Sequence, residues 1–164
     1  ELVGSLFPGL PEARLGQMRR NDSAATDGLA LTAYLTQPPG TNEGDRPPLI
    51  VMPHGGPETS DHLKWDTWAQ FFASRGYQVL QPNFRGSSGQ GRPFAEAGYR
   101  HWGGLLQDAV TAAVQPLVDP GPADPDRVRI AGARRGREAA TLIRPGCDAA
   151  IWSTGRCPWG VDVG

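Results

Sequence analysis

The chain has 164 residues, of which 38% are hydrophobic and 20% charged, and its 16 Lys and Arg nearly balance its 17 Asp and Glu. This composition is typical of a single globular domain, and it argues against a largely disordered chain and against a basic protein built to bind nucleic acid. The 22 glycines and 16 prolines lack the period of three that collagen requires, and they predict many turns.

The first half of the chain predicts a hairpin followed by a buried strand. The dipeptide Asp27-Gly28 lies between strand-like stretches at 21–26 and 29–35, which indicates a β-hairpin with a tight turn. Residues 49–52 form a continuous apolar run, as expected of a strand that is buried on both faces of a parallel sheet.

The second half predicts helices and strands in alternation: a helix over 65–75, a strand over 77–80, a helix over 105–118 and a strand over 127–131. Both helices carry their apolar residues in one stripe. Because strands alternate with helices, the fold class predicted is α/β, with a mainly parallel sheet, flanking helices and right-handed crossovers.

Open α/β sheets place their functional residues at the carboxyl ends of the strands, so three loops are candidates: 53–57, 83–91 and 131–137. The first reads Pro-His-Gly-Gly-Pro, and its two glycines let backbone N–H groups approach a ligand closely, as an oxyanion hole requires. A plain tight turn explains the same residues equally well. The glycines of the second loop are better explained by a structural role than by phosphate binding.

These loops and their surroundings resemble the catalytic domain of the prolyl oligopeptidase family of serine peptidases, in its acylaminoacyl-peptidase and dipeptidyl-peptidase-like branch. The resemblance runs from about residue 15 to 132, and its most specific stretches are Met52-Pro53-His54-Gly55-Gly56-Pro57, Asn83-Phe84-Arg85-Gly86-Ser87, Trp102-Gly103-Gly104 and Ala123-Asp124-Pro125-Asp126-Arg127-Val128. It implies the N-terminal part of an α/β-hydrolase fold, a peptide substrate, hydrolysis by acyl transfer through a serine, and no cofactor. It also implies that His54, Gly55 and Pro57 belong to the oxyanion loop and that Gly56 donates one backbone N–H to the oxyanion.

The chain departs from the family at the nucleophile elbow, where the family has Gly-x-Ser-x-Gly-Gly. Here Arg134 occupies the position of the nucleophile, and Arg135 occupies that of the second oxyanion N–H donor. An arginine cannot replace the serine, because its guanidinium stays protonated and offers no nucleophilic lone pair.

The catalytic histidine is also missing from its expected place. The order in this fold is Ser, then Asp, then His, so the histidine must follow the elbow. The three histidines are His54, His62 and His101, and all of them precede it. We therefore predict that no catalytic residue of the triad is intact and that the chain is catalytically incompetent.

Residues 133–164 differ in character from residues 1–132, which form the expected peptidase domain segment. They hold both cysteines, two of the five tryptophans and five arginines, and the alternation of strands and helices fades. We favour a loss of the reading frame near Ala133, which would make this tail atypical or disordered. The alternative is a diverged, non-catalytic pseudo-enzyme or interaction module with an α/β-hydrolase-like fold.

Other classes of function receive little support. The glycines at 132 and 136 also resemble the phosphate loop of short-chain dehydrogenases, but Glu138 occupies the place of a required glycine. Cys147 and Cys157 have nine residues between them and no histidine nearby, so no metal site is expected. Scattered, balanced arginines predict no nucleic-acid partner, and the lack of a long apolar run predicts no membrane partner. No signal peptide is visible, so we expect a cytoplasmic rather than a secreted protein.

Overall fold

A computed structural model describes residues 9, 11–55, 59–99, 104–132 and 148–149. The strands are β1 (Gln17–Ala24), β2 (Ala30–Gln37), β3 (Leu49–Val51), β4 (Gln78–Asn83), β5 (Val128–Ile130) and β6 (Asp148–Ala149). The helices are α1 (Thr67–Ala73), α2 (Arg92–Glu96) and α3 (Leu105–Val118), and short 3₁₀ turns lie at Glu12–Arg14 and Pro125–Arg127.

The six described strands form one mixed sheet in the order β1-β2-β4-β3-β5-β6. The pairs β1–β2 and β2–β4 are antiparallel, whereas β3 is parallel to both β4 and β5, and β6 is parallel to β5. All residues of β3 and β4 are buried, which explains the apolar run at 49–51. The predicted alternation is therefore confirmed, with an antiparallel hairpin added at one edge of a parallel sheet.

The predicted hairpin is confirmed, but its turn is wider than a two-residue turn. Ala24 pairs with Ala30, and the five residues between them form the connection, in which Gly28 adopts a φ of 84°. The Gly28 N–H donates to the carbonyl oxygen of Ala25, 2.9 Å away. The first strand also begins earlier than predicted, at Gln17.

The two longer helices agree with the predicted periodicity. The bounds of α3 coincide with the predicted 105–118, and its buried residues form one stripe: Leu106, Ala109, Val110, Ala113 and Leu117. The start of α1 is later than predicted, because the Asp66 side chain caps it by accepting a hydrogen bond from the Ala69 N–H at 2.8 Å. The five-residue α2 was not predicted. No helix of the described ranges combines the length and apolar character needed to cross a bilayer.

Helices cover both faces of the sheet. Between the sheet and α3 lies the main core, which includes Leu35, Val51 and Leu80. The buried side chains of Ile50 and Val79 are not part of this core. Since neighbouring residues of a strand point to opposite faces, these two side chains lie on the other face, which α1 covers. The polar residues Gln81 and Asn83 of β4 lie on this α1 face as well.

Part of the tail that was predicted to be atypical contributes to the sheet. Asp148 and Ala149 pair in parallel with Arg129 and Ile130 of β5. Residues 133–147 and 150–164 lie outside the described residues, so the predicted division at residue 132 stays a prediction.

Candidate functional site

The loops that follow β3 and β5 lie side by side at the carboxyl edge of the sheet. The Ala131 N–H donates to the Val51 carbonyl at 2.8 Å, and the Met52 N–H donates to the Leu80 carbonyl at 2.7 Å. The ladder of hydrogen bonds thus continues past the strand ends. It places the start of the predicted oxyanion loop beside Ala131 and Gly132, the residues that lead to the predicted elbow.

His54 connects the loop after β3 to the loop after β4. Its Nε2 lies 2.8 Å from Ser87 Oγ, which itself donates its proton to the Phe84 carbonyl at 2.6 Å. A hydroxyl has a single proton, so the His54 Nε2–H is the donor to Ser87 and Nδ1 carries a lone pair. The imidazole also stacks on the Phe84 ring, with the centroids 4.5 Å apart.

His54 is uncharged at neutral pH. Its side chain is buried, and burial lowers its pKa to about 4, because desolvation penalises the charged imidazolium. With a pKa of about 4, the free Nδ1 is a weak base at neutral pH, while the engaged Nε2–H holds the loop in place. The geometry therefore gives His54 a positioning role.

Arg85 anchors the glycine-rich loop after β4 to the β1–β2 hairpin. Its side chain is 7% exposed, and its guanidinium donates to the Asp27 carboxylate at 2.5 Å, which holds the pKa of Asp27 below its usual range. The two residues meet because β2 runs antiparallel to β4, which brings the hairpin turn to the carboxyl edge of the sheet. These contacts agree with the structural role expected for the loop.

Asp61 is a residue of the site that sequence reasoning missed. Its backbone is held by the Asn83 side chain, whose Oδ1 accepts from the Asp61 N–H at 2.8 Å and whose Nδ2 donates to the Asp61 carbonyl at 2.9 Å. The pKa of Asp61 is raised to about 6, mainly by burial and also by the nearby carboxylate of Asp66, while Lys64 opposes the shift. The available signal was the polar Gln81 and Asn83 within a buried strand.

A cavity of about 360 Å³ lies on the α1 face of the sheet, next to the start of the predicted oxyanion loop. Its polar lining includes His54, Asp61, Asp66 and Gln81, and its apolar lining includes Trp68 and Phe72. Among the described residues, no three His, Cys, Asp or Glu side chains converge as metal ligands would.

Several predicted site residues lie outside the described residues: Gly56, Pro57, Arg134 and Arg135. Both predicted N–H donors to the oxyanion are among them, and their roles stay predictions. The structure places His54 and Gly55 at the carboxyl edge of the sheet, and their membership of an oxyanion loop stays a prediction.

The model of the prolyl oligopeptidase family matches residues 63–136. A dipeptidyl aminopeptidase BIII from Pseudoxanthomonas mexicana is 40% identical over 119 residues, which make up 69% of this chain and 17% of the relative. The structure of a puromycin-hydrolyzing peptidase from Mycobacterium tuberculosis superposes with a TM-score of 0.74 at 33% identity, covering 85% of this chain and 22% of that one.

An acylaminoacyl peptidase from Pyrococcus horikoshii has a TM-score of 0.71 at 26% identity, covering 82% of this chain and 21% of its own. The chain thus spans about a fifth of the length of these proteins. The expectation of a partial α/β-hydrolase fold is confirmed.

Proposed function

The chain belongs to the prolyl oligopeptidase family of serine peptidases, and from this premise we propose that it forms the oxyanion-hole side of a peptidase catalytic domain. The substrates are peptides, which the family cleaves by acyl transfer through a serine. In this proposal the Gly56 N–H binds the carbonyl oxygen of the scissile bond as negative charge develops on it. Acyl transfer of this kind uses only protein groups, so no cofactor is required.

The observation that carries this proposal is the buried hydrogen bond between His54 and Ser87. A donor to an oxyanion accelerates a reaction when it is held in place before the charge develops. The His54–Ser87 bond and the stacking of His54 on Phe84 fix the residue that lies two positions before Gly56. Because β3 and β5 are neighbours, this loop also lies beside the residues that lead to the predicted elbow.

We further propose that these 164 residues do not hydrolyse peptides on their own. Arg134 stands where the family has its nucleophile, and the sequence contains no histidine after His101. A serine is a weak nucleophile at neutral pH unless a neighbouring base removes its proton. Restoring the serine alone therefore leaves the general base missing.

Two variants test the proposal. The first restores the elbow with Arg134→Ser and Arg135→Tyr, and we expect no turnover of a p-nitrophenyl ester above background. The second replaces residues 133 onward with the corresponding segment of a full-length relative. We expect this graft to hydrolyse a peptide substrate and to react with a fluorophosphonate probe. Turnover by the first variant, or a folded, soluble graft without turnover, would contradict the proposal, and the second result would favour a non-catalytic role.

A further inference from the structure

Strand β1 lies at one edge of the described sheet, where its outer backbone groups can pair with a further strand. Among the described strands it pairs only with β2, in a continuous register over all eight of its residues. Natural edge strands avoid unwanted pairing by means of prolines, bulges, short length or charged side chains. This strand has no proline and no bulge against β2, and it is longer than most strands. Its charged side chains therefore determine what the edge can accept.

Two opposite charges lie next to each other on one face of β1. Arg20 and Asp22 are paired with Tyr34 and Thr32 of β2, and both side chains lie on the α1 face of the sheet. Nε of Arg20 donates to the Asp22 carboxylate at 2.7 Å, and Nη2 donates to the Thr32 hydroxyl at 3.1 Å. The side chains of Arg20 and Asp22 are 62% and 57% exposed, so both can also reach a charge on a strand beyond the edge.

These charges favour one arrangement when a second copy of β1 pairs with the first. Two identical antiparallel strands are related by a twofold axis, and the residue at the axis faces its own copy. An axis at Arg19, Arg20 or Asp22 would place like charges opposite each other, which is unfavourable. An axis at Asn21 places Arg20 of each copy opposite Asp22 of the other. Axes nearer to either end would pair only a short part of the strand, so β1 is complementary to itself in one register.

We propose that β1 is the interface for a second copy of this chain, which adds its own β1 in antiparallel orientation with Asn21 at the twofold axis. The two Arg20 and two Asp22 side chains then alternate in one cluster, and Met18 lies opposite Ala24 of the second copy. Main-chain hydrogen bonds join the two sheets edge to edge. One pair of strands is a small interface, so the dimer is weak and dissociates on dilution.

This proposal does not depend on the proposed function, because β1 contributes no residue to the candidate functional site. A second copy is also a more specific partner than an unrelated strand. An unrelated strand would need an acidic residue opposite Arg20 and a basic residue opposite Asp22, on the same face and two residues apart. The sequence of β1 itself carries this pattern.

The first experiment measures the oligomeric state of the 164-residue chain by sedimentation equilibrium over a series of concentrations at pH 7.5 and low ionic strength. We expect an equilibrium between monomer and dimer for the unaltered chain. Arg20→Asp and Asp22→Arg each place like charges opposite each other in the proposed register. Each variant should therefore dimerise at least about tenfold more weakly. Both side chains are exposed, so the circular dichroism spectrum should stay unchanged.

An equimolar mixture of the two variants provides the decisive comparison. In a heterodimer of Arg20→Asp with Asp22→Arg, every charge again faces its opposite, so we expect dimerisation to recover to within about threefold of the unaltered chain. A single chain with both substitutions should recover in the same way. Each single variant lacks the Arg20–Asp22 contact within its own strand, so that contact cannot explain the recovery.

Three outcomes of these measurements would overturn the proposal. The first is an unaltered chain that stays monomeric at every concentration. The second is a dimer that both single variants retain, which would form through another surface. The third is a mixture that dimerises no better than its components.

The second experiment tests the register with single cysteines in a chain that also carries Cys147→Ser and Cys157→Ser. In the proposed dimer the two copies of residue 21 face each other, so Asn21→Cys should be cross-linked by a thiol reagent that spans one cross-strand pair, about 5 Å. The matched control is Arg19→Cys, which lies on the same face of β1 and is exposed. Its two copies would lie four residues apart along the strand, about 14 Å, and should not be cross-linked. At a concentration where the chain dimerises, equal cross-linking of the two variants, or none of Asn21→Cys, would overturn the proposed register.

Discussion

Ser87 is the residue that links two loops of the site through a single hydroxyl. Its Oγ accepts from His54 and donates to the Phe84 carbonyl within a buried region. Ser87→Ala would leave the His54 N–H buried without an acceptor, so we expect the free energy of unfolding to fall by about 1–3 kcal/mol. Urea denaturation at pH 7.5 measures this change.

The neighbouring serine provides the control. Among the described residues, the Ser88 hydroxyl makes one long contact, at 3.5 Å with the Ser60 hydroxyl, and Ser88→Ala should change the free energy of unfolding by less than about 0.5 kcal/mol. Similar losses in the two variants would contradict the role given to the His54–Ser87 bond.

The titration of Asp61 and that of His54 affect stability in opposite directions. The pKa of Asp61 is raised in the folded chain to about 6. Protonated Asp61 therefore contributes to the free energy of unfolding at low pH, and this contribution is lost as the pH rises from about 4 through 6. The pKa of His54 is lowered to about 4, so its contribution is complete above pH 6.5 and is lost as the pH falls towards 4. Between pH 4 and 6 the two effects largely cancel.

Asp61→Asn removes the titration of the carboxyl group and leaves that of His54. We expect the variant to be more stable than the unaltered chain at pH 7.5, by about 1–2 kcal/mol after allowance for partial exposure of the carboxylate. Its stability should then fall more steeply between pH 6.5 and 4, because the protonation of His54 is no longer compensated. A series of urea denaturations across this pH range tests both statements, and a variant that is less stable at pH 7.5 would contradict them.

At the scale of elements, α2 is held against the loop after β4 by a close approach of two backbones. A Cβ built on Gly98 would lie 2.5 Å from the Cα of Gly86. This atom belongs to the backbone, so it cannot move away as the end of a flexible side chain could. Gly98→Ala should therefore lower the free energy of unfolding by about 2 kcal/mol or more. The control is Gly104→Ala, since a Cβ at Gly104 has no neighbour within 4 Å among the described atoms. Thermal denaturation of the two variants compares them, and equal melting temperatures would rule out this close packing.

Elements with a regular sequence pattern had predictable bounds, and elements without one did not. The bounds of α3 were predictable because its apolar stripe is regular and Pro120 and Pro122 follow it. The extension of β4 to Asn83 was not predicted, because the polar Gln81 interrupts the apolar run that indicated the strand. The short α2 has too few residues to show a periodicity, and its position depends on the contact between Gly86 and Gly98.

At the scale of the whole molecule, topology explains which part of the site could be predicted. The rule that loops meet at the carboxyl edge placed His54 and Gly132 together from the sequence alone. The cavity could not be predicted in this way, since Asp61 reaches it only through its clamp to Asn83, 22 residues away in the chain. Such side-chain pairing carries no local pattern in the sequence.

The ion pair between Asp27 and Arg85 has a consequence for the kinetics of folding. It joins residues 58 positions apart, and it can form only after the hairpin has paired with β4. We therefore expect Asp27→Ala to accelerate unfolding several-fold while the folding rate stays nearly constant, as stopped-flow measurements in urea would show. The local Arg20–Asp22 pair is exposed, and Asp22→Ala should alter neither rate appreciably. If slow unfolding depends on this contact, the hairpin turn sets how long the carboxyl edge of the sheet stays assembled.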